Sequence, residues 1–203
     1  MAGKTRLVVV NAANYHDNFD GAAGNVSGRA MPRGGLTWGR GRQTGSNSEI
    51  VLDGSGRLRA GASGSGGAIA VVNPGSAKVT AVARIAALAT SPVPALVFRA
   101  VDGDNYYGLF LRSSSTVREY SLFRRLDGQL GSVIATSGRE PLVGDFLRAE
   151  VEASGRVTCY AGPAGTDELF SASMSSFPTA THVGIYADQS DVTTSFEEFR
   201  AYV

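Results

Sequence analysis

Residues 146–161 read FLRAEVEASGRVTCYA. Leu147, Ala149, Val151 and Ala153 alternate with Arg148, Glu150 and Glu152. Beyond Ser154-Gly155 the alternation resumes with Val157, Cys159 and Ala161. A period of two with one apolar side marks an antiparallel strand covering a core on one face and meeting water on the other. Two such runs joined by a Ser-Gly step predict a hairpin.

The same signals continue outward. Tyr120 to Arg125, then Leu126-Asp127-Gly128, then Gln129 to Ala135 read as a second hairpin. Lys78 to Ile85 places Val79, Ala81, Ala83 and Ile85 on one face. The wider stretch from Ser76 to Leu88 is the one place a helix competes, and its β-branched residues argue against it. Asp53-Gly54, Asp102-Gly103 and Gly162-Pro163 supply further turns. About fourteen short strands at roughly ten-residue spacing predict two antiparallel sheets packed face to face. Residues 21–47 and 61–67 are glycine-rich and read as irregular. A domain boundary at 61–67 is disfavoured, because neither side alone holds a complete strand set.

Composition narrows the function classes. The chain has 203 residues, one domain's worth, with 19 basic and 18 acidic side chains. A net charge of +1 aims no strong field at nucleic acid or an anionic membrane. With 43% hydrophobic residues and dispersed Phe and Tyr, the chain is not disordered. Its 26 glycines follow no triplet period, so they belong to turns and not to collagen. A single cysteine, Cys159, excludes an internal disulfide and a multi-cysteine metal site. The aliphatic run Leu7 to Val10 is far shorter than the roughly 20 residues of a membrane span. It is also too short for a secretory leader, so a chain made in a cytoplasm is expected.

The order of motifs resembles a known family. Asp17-Asn18-Phe19-Asp20-Gly21 is followed by Gly28-Arg29, Pro32, Gly34-Gly35 and Thr37-Trp38, then Ile50 to Leu58. Asp104-Asn105-Tyr106-Tyr107-Gly108-Leu109 stands mid-chain, with Gly144 to Arg148, Val183 to Tyr186 and Ser195 to Arg200 later. In that order they resemble the concanavalin A-like (laminin G-like) jelly-roll domains common in bacterial and phage proteins. The resemblance covers about residues 15–203, with Val26 where the family often has Leu. It implies an all-β, two-sheet antiparallel sandwich. It divides the chain into an N-terminal strand or arm, residues 1–14, and the sandwich, residues 15–203. The arm can pair within its own sheet or with a neighbouring copy.

Catalytic chemistry finds no footing. Glycoside hydrolysis needs two carboxylates at a fixed separation, and the family's enzyme branch carries them as E-x-D-x-x-E, which does not occur here. Glu150 and Glu152 share their face with Arg148 and read as a solvated surface. Neither His16 nor His182 sits in a nucleophile motif, and the glycine runs lack a phosphate loop's Lys and Ser/Thr. Cys159 reads as a buried structural thiol. The chain is therefore expected not to be an enzyme and to need no cofactor. A structural calcium remains open, because Asp102, Asp104 and Asn105 cluster in one turn, and Asp17 and Asp20 in another.

Binding has more candidates. A flat ring stacks on the apolar face of a pyranose, and Trp38, Tyr107, Tyr120 and Tyr186 are the candidate ligand-binding residues. Trp38 competes as a core anchor. One of Tyr106 and Tyr107 must face outward. Arg29, Arg33, Arg40 and Arg42 gather around Trp38, suited to anions or simply to solvation. The resemblance implies a non-enzymatic structural or interaction protein of a phage particle: a capsid decoration, tail or fibre-associated subunit located in the virion. Its expected partners are other virion proteins or further copies of the chain, in a homo-oligomer or larger assembly, with a cell-surface glycan as a further candidate and with no nucleic acid and no membrane. The alternative is a carbohydrate-binding module for a bacterial surface polysaccharide.

Overall fold

The computed structural model describes residues 14–61, 66–90, 93–113 and 118–203. The expected arm and part of the 61–67 glycine stretch therefore lie outside the described residues. The described chain is all β, in sixteen strands. They are β1 (Tyr15–Asp17), β2 (Gly24–Asn25), β3 (Gly39–Arg42), β4 (Ile50–Leu52), β5 (Leu58–Ala60) and β6 (Gly67–Val72). The central strands are β7 (Val79–Ala87), β8 (Ala95–Ala100), β9 (Tyr106–Ser113), β10 (Arg118–Leu126) and β11 (Gln129–Thr136). The last are β12 (Phe146–Val151), β13 (Arg156–Ala161), β14 (Asp167–Ser173), β15 (His182–Asp188) and β16 (Ser195–Tyr202).

Two antiparallel sheets form a jelly-roll sandwich. The nine-stranded sheet runs β14-β13-β12-β7-β16-β5-β4-β2, with β1 also paired to β16. The seven-stranded sheet runs β11-β10-β9-β8-β15-β6-β3. Both expected hairpins form. β12 and β13 pair with Val151 opposite Val157, and β10 and β11 pair with Leu126 opposite Gln129. Asp127 and Gly128 turn the second hairpin with φ of 49° and 75°, the left-handed pair that a two-residue turn between twisted strands requires. Ser76 to Leu88 holds β7 and no helix.

Alternation decides which side chains meet between the sheets. Leu147, Ala149 and Val151 from one sheet join Leu96, Phe98, Leu109, Leu111 and Leu122 from the other in the main core. Trp38 completes that core, with its ring 5.9 Å from Phe19 and 5.1 Å from Phe199.

The seven-stranded sheet is unusual in being apolar on both faces. Along β6, Ala68, Ala70 and Val72 face the other sheet, while Ile69 and Val71 belong to a second cluster on the outer face. Ala95, Val97, Tyr106, Phe110, Phe123 and Tyr186 share that outer cluster. Two of its aromatic rings lie flat against the backbone over glycines. A Cβ on Gly67 would overlap the Tyr186 ring, and one on Gly108 would stand 2.6 Å from Phe110.

Candidate functional site

The outer face of the seven-stranded sheet carries a cleft of ≈ 280 Å³ at one corner. Four segments far apart in the chain meet there: the start of β3, the end of β6, the end of β8 and the start of β15. Gly39 and Gly41 of β3 lie opposite Val71 and Ile69 of β6, and these four make the floor. Glycine is required at 41 because a Cβ there would stand 2.9 Å from the backbone nitrogen of Gly103. At 39 a Cβ would meet nothing closer than 3.6 Å. Gly39 thus leaves open a space that a side chain would occupy.

Ala100, Val101 and Asp102 form one wall. The Asp102 carboxylate is held by the Asp104 N–H at 2.8 Å and the Asn105 amide at 3.0 Å. Asp104 in turn accepts from the N–H of Thr44 at 3.0 Å. That bond ties the wall to the chain just after β3. Thr37, Arg40, Asn73 and His182, the last paired with Ala100 across the strands, complete the lining. The Asn73 carbonyl accepts from Gly75 at 2.9 Å and from the Thr181 hydroxyl at 2.7 Å, which orients its NH₂ group. Arg40 donates to Glu49 at 2.7 Å and shares that carboxylate with Arg42 at 2.9 Å. A carboxylate, an amide, a hydroxyl and an imidazole around an aliphatic floor supply donors and acceptors suited to a polyhydroxylated ligand.

The four aromatic residues expected to bind ligand are all in the interior, Tyr186 being the most exposed at 4%. The platform expected from Trp38, Tyr107, Tyr120 and Tyr186 is therefore corrected: none offers a ring face to a sugar. Trp38 is a core residue whose indole donates to Asp17 at 2.9 Å. Tyr107 faces the other sheet, and its oxygen accepts from Ser176 at 3.0 Å. The Tyr120 hydroxyl donates to buried Asp145 at 2.6 Å; burial, and then that bond, push its pKa far up. Tyr186 does face outward, but flat on Gly67, with its hydroxyl donating to Asp188 at 2.9 Å. Burial is the main cause of its raised pKa. Tyr106 is the outward member of its pair, yet it is fully buried and its pKa is pushed up to about 12, chiefly by burial.

The arginine group is also mostly spoken for. Arg29 bonds Asp17 at 3.1 Å, and Arg40 and Arg42 converge on Glu49. On the nine-stranded sheet the acidic side chains are matched in the same way. Glu150 meets Arg148 and accepts from Tyr160, Glu197 meets Arg84, and Glu198 meets His16 and Arg200. Burial raises the Cys159 thiol far above its ordinary pKa, which leaves it protonated. Among the described residues no group of three His, Cys, Asp or Glu side chains is placed to hold a metal. Asp102 and Asn105 bond within their own turn, Asp104 accepts from Thr44, Asp17 from Phe19, Trp38 and Arg29, and Asp20 from Asn18.

Of the cleft residues, the sequence singles out Thr37, Arg40, Asp102 and His182, each for another reason, and not Asn73 or the two floor glycines. The alternating Gly-Arg-Gly-Arg of 39–42 was the available signal, since glycine on every second position strips one face of a strand.

No protein-family profile matches the chain, and no curated protein does. Solved structures share its fold. A carbohydrate-binding module of Bacillus subtilis aligns with a TM-score of 0.56 at 19% identity, over 72% of this chain and 86% of that one. The exoplasmic domain of VIP36, solved with Ca²⁺ and Man3GlcNAc, aligns at 0.56 and 14% identity, over 81% of this chain and 83% of its own. A β-1,3-glucanase of Mycobacterium marinum aligns at 0.50 and 15% identity, over 95% and 100%. The class thus defined is the concanavalin A-like, lectin-type jelly roll, a fold that hosts both sugar binders and glycosidases.

Proposed function

We propose that the chain is a non-catalytic carbohydrate-binding domain and that the corner cleft on its outer sheet face is the sugar site. The observation that carries this reading is the cleft's lining. Asp102, Asn73, Thr37 and His182 surround an apolar floor, in a volume near the lower end of the range for small-molecule sites. The neighbours in fold support it, because carbohydrate-binding and lectin domains stand among them. The expectation of a place in a phage particle draws no such support.

The non-catalytic part rests on the carboxylates. A retaining glycosidase holds two of them about 5–5.5 Å apart across the scissile bond. Asp102 is the one acid among the described lining residues, and it is engaged by its own loop.

A glycan array probed with the wild-type chain and with Gly39→Val tests both parts. Wild type is expected to bind a subset of glycans, and the variant to lose them while keeping its melting temperature, since Gly39 has room for a side chain and an ordinary φ. Bound glycans are expected to release no new reducing ends. Retained binding by the variant would move the site elsewhere on the molecule.

A further inference from the structure

The cleft's floor says which sugar it takes. Phe, Tyr and Trp rings, the usual partners for the C–H face of a sugar, are absent from the described lining. In their place are Ile69, Val71, Ala100 and Val101. Val101 stands out at 57% exposed, beside the buried Val71 and Ala100. Gly39 and Gly41 keep the depression open next to them. Branched aliphatic side chains around a small depression match a methyl group better than a ring face.

The polar groups are arranged at the rim and not on the floor. The two charged side chains of the lining are each engaged: Glu49 pairs with Arg40, and the Asp104 N–H and the Asn105 amide hold Asp102. The rim therefore selects neither an anionic nor a cationic sugar by charge. It offers hydrogen bonds to hydroxyls.

Resting on the glycan-binding reading above, we infer that the ligand is a neutral 6-deoxyhexose. Its methyl group sits on Val71, Ala100 and Val101, and its ring hydroxyls reach Asp102, Asn73 and His182. The parent hexose carries a hydroxymethyl group in that place. Binding it buries a hydroxyl against aliphatic carbon with no partner, which a hydrophobic site penalises by about 10–100-fold.

Ligand-observed NMR titration with matched pairs tests this: L-rhamnose against L-mannose, and L-fucose against L-galactose. The 6-deoxy member of at least one pair is expected to bind about 10–100-fold more tightly than its parent. Val101→Thr, at an exposed position, is expected to shrink that ratio by weakening the deoxy sugar and sparing the parent. Val71→Thr repeats the test deeper in the cleft, with a melting curve to confirm folding. Equal affinities within both pairs, or a preference for the parents, would overturn the inference and leave the glycan-binding reading standing. Binding of no sugar, free or on the array, would overturn both.

Discussion

Asp17 organises the corner of the sandwich that supports β3. Its carboxylate accepts from the Phe19 N–H at 2.8 Å, from the Trp38 indole at 2.9 Å and from Arg29 at 3.1 Å. It is completely buried. Asp17→Ala leaves the Phe19 and Trp38 donors buried without an acceptor, at about 1–3 kcal/mol each. Asp17→Asn keeps one acceptor oxygen but turns its NH₂ toward the donors of the other and loses the charge facing Arg29, so urea unfolding is expected to rank wild type above both Asn and Ala. Equal stability of all three would show that the carboxylate is not the organiser. This part of the molecule was legible in the sequence, because Asp17, Phe19, Arg29 and Trp38 all fall within motifs of the resemblance. That one of Tyr106 and Tyr107 faces outward was legible from alternation, but that the outward one is Tyr106, and not the ligand candidate Tyr107, was not. Nor was the burial of Tyr106, since nothing in alternation says that the outer face of a sheet carries a second apolar cluster.

At the level of elements, the hairpins β10–β11 and β12–β13 follow directly from local sequence. Turn residues at Asp127-Gly128 and Ser154-Gly155 and a period of two specify them without help from the rest of the chain. β6 is different. It is buried on both faces, so it has no polar side to alternate with, and period two disappears from it. The cleft was illegible for a related reason. Its lining comes from β3, β6, β8 and β15, and no stretch of sequence records that these four ends meet. What lets the rings of the outer face lie flat is glycine beneath them. Gly67→Ala pushes a methyl into the Tyr186 ring, and overpacking of this kind costs about 1–3 kcal/mol. In the Tyr186→Ala background the same substitution is expected to cost much less. A double-mutant cycle by urea unfolding reads the coupling; additive losses would mean that ring and glycine do not oppose each other.

For the whole molecule, three of the four buried tyrosines, Tyr106, Tyr120 and Tyr186, make stability fall in alkali. Burial raises the pKa of Tyr106 to about 12, and those of Tyr120 and Tyr186 further. An unfolded tyrosine titrates near 10. The folded state therefore holds these protons more tightly, and the stability it gains is fully present below about pH 10. It is lost as pH rises from there through the folded values. Tyrosinate absorbance is expected to appear in two steps: exposed rings first, then the buried ones together with loss of β-sheet signal. Ionisation of every tyrosine in one early step would contradict the packing described. Neutral pH leaves all three hydroxyls protonated, so ligand binding at the surface is not coupled to them.

The central claim is that one corner of the outer sheet face binds sugar. Backbone amide shifts recorded while a bound glycan is titrated in test it most directly. The changes are expected to concentrate at Thr37 to Gly41, Val71 to Asn73, Ala100 to Asp102 and His182, and Gly39→Val is expected to abolish them. Saturable changes confined to the nine-stranded sheet, around β13 and β14, would contradict it.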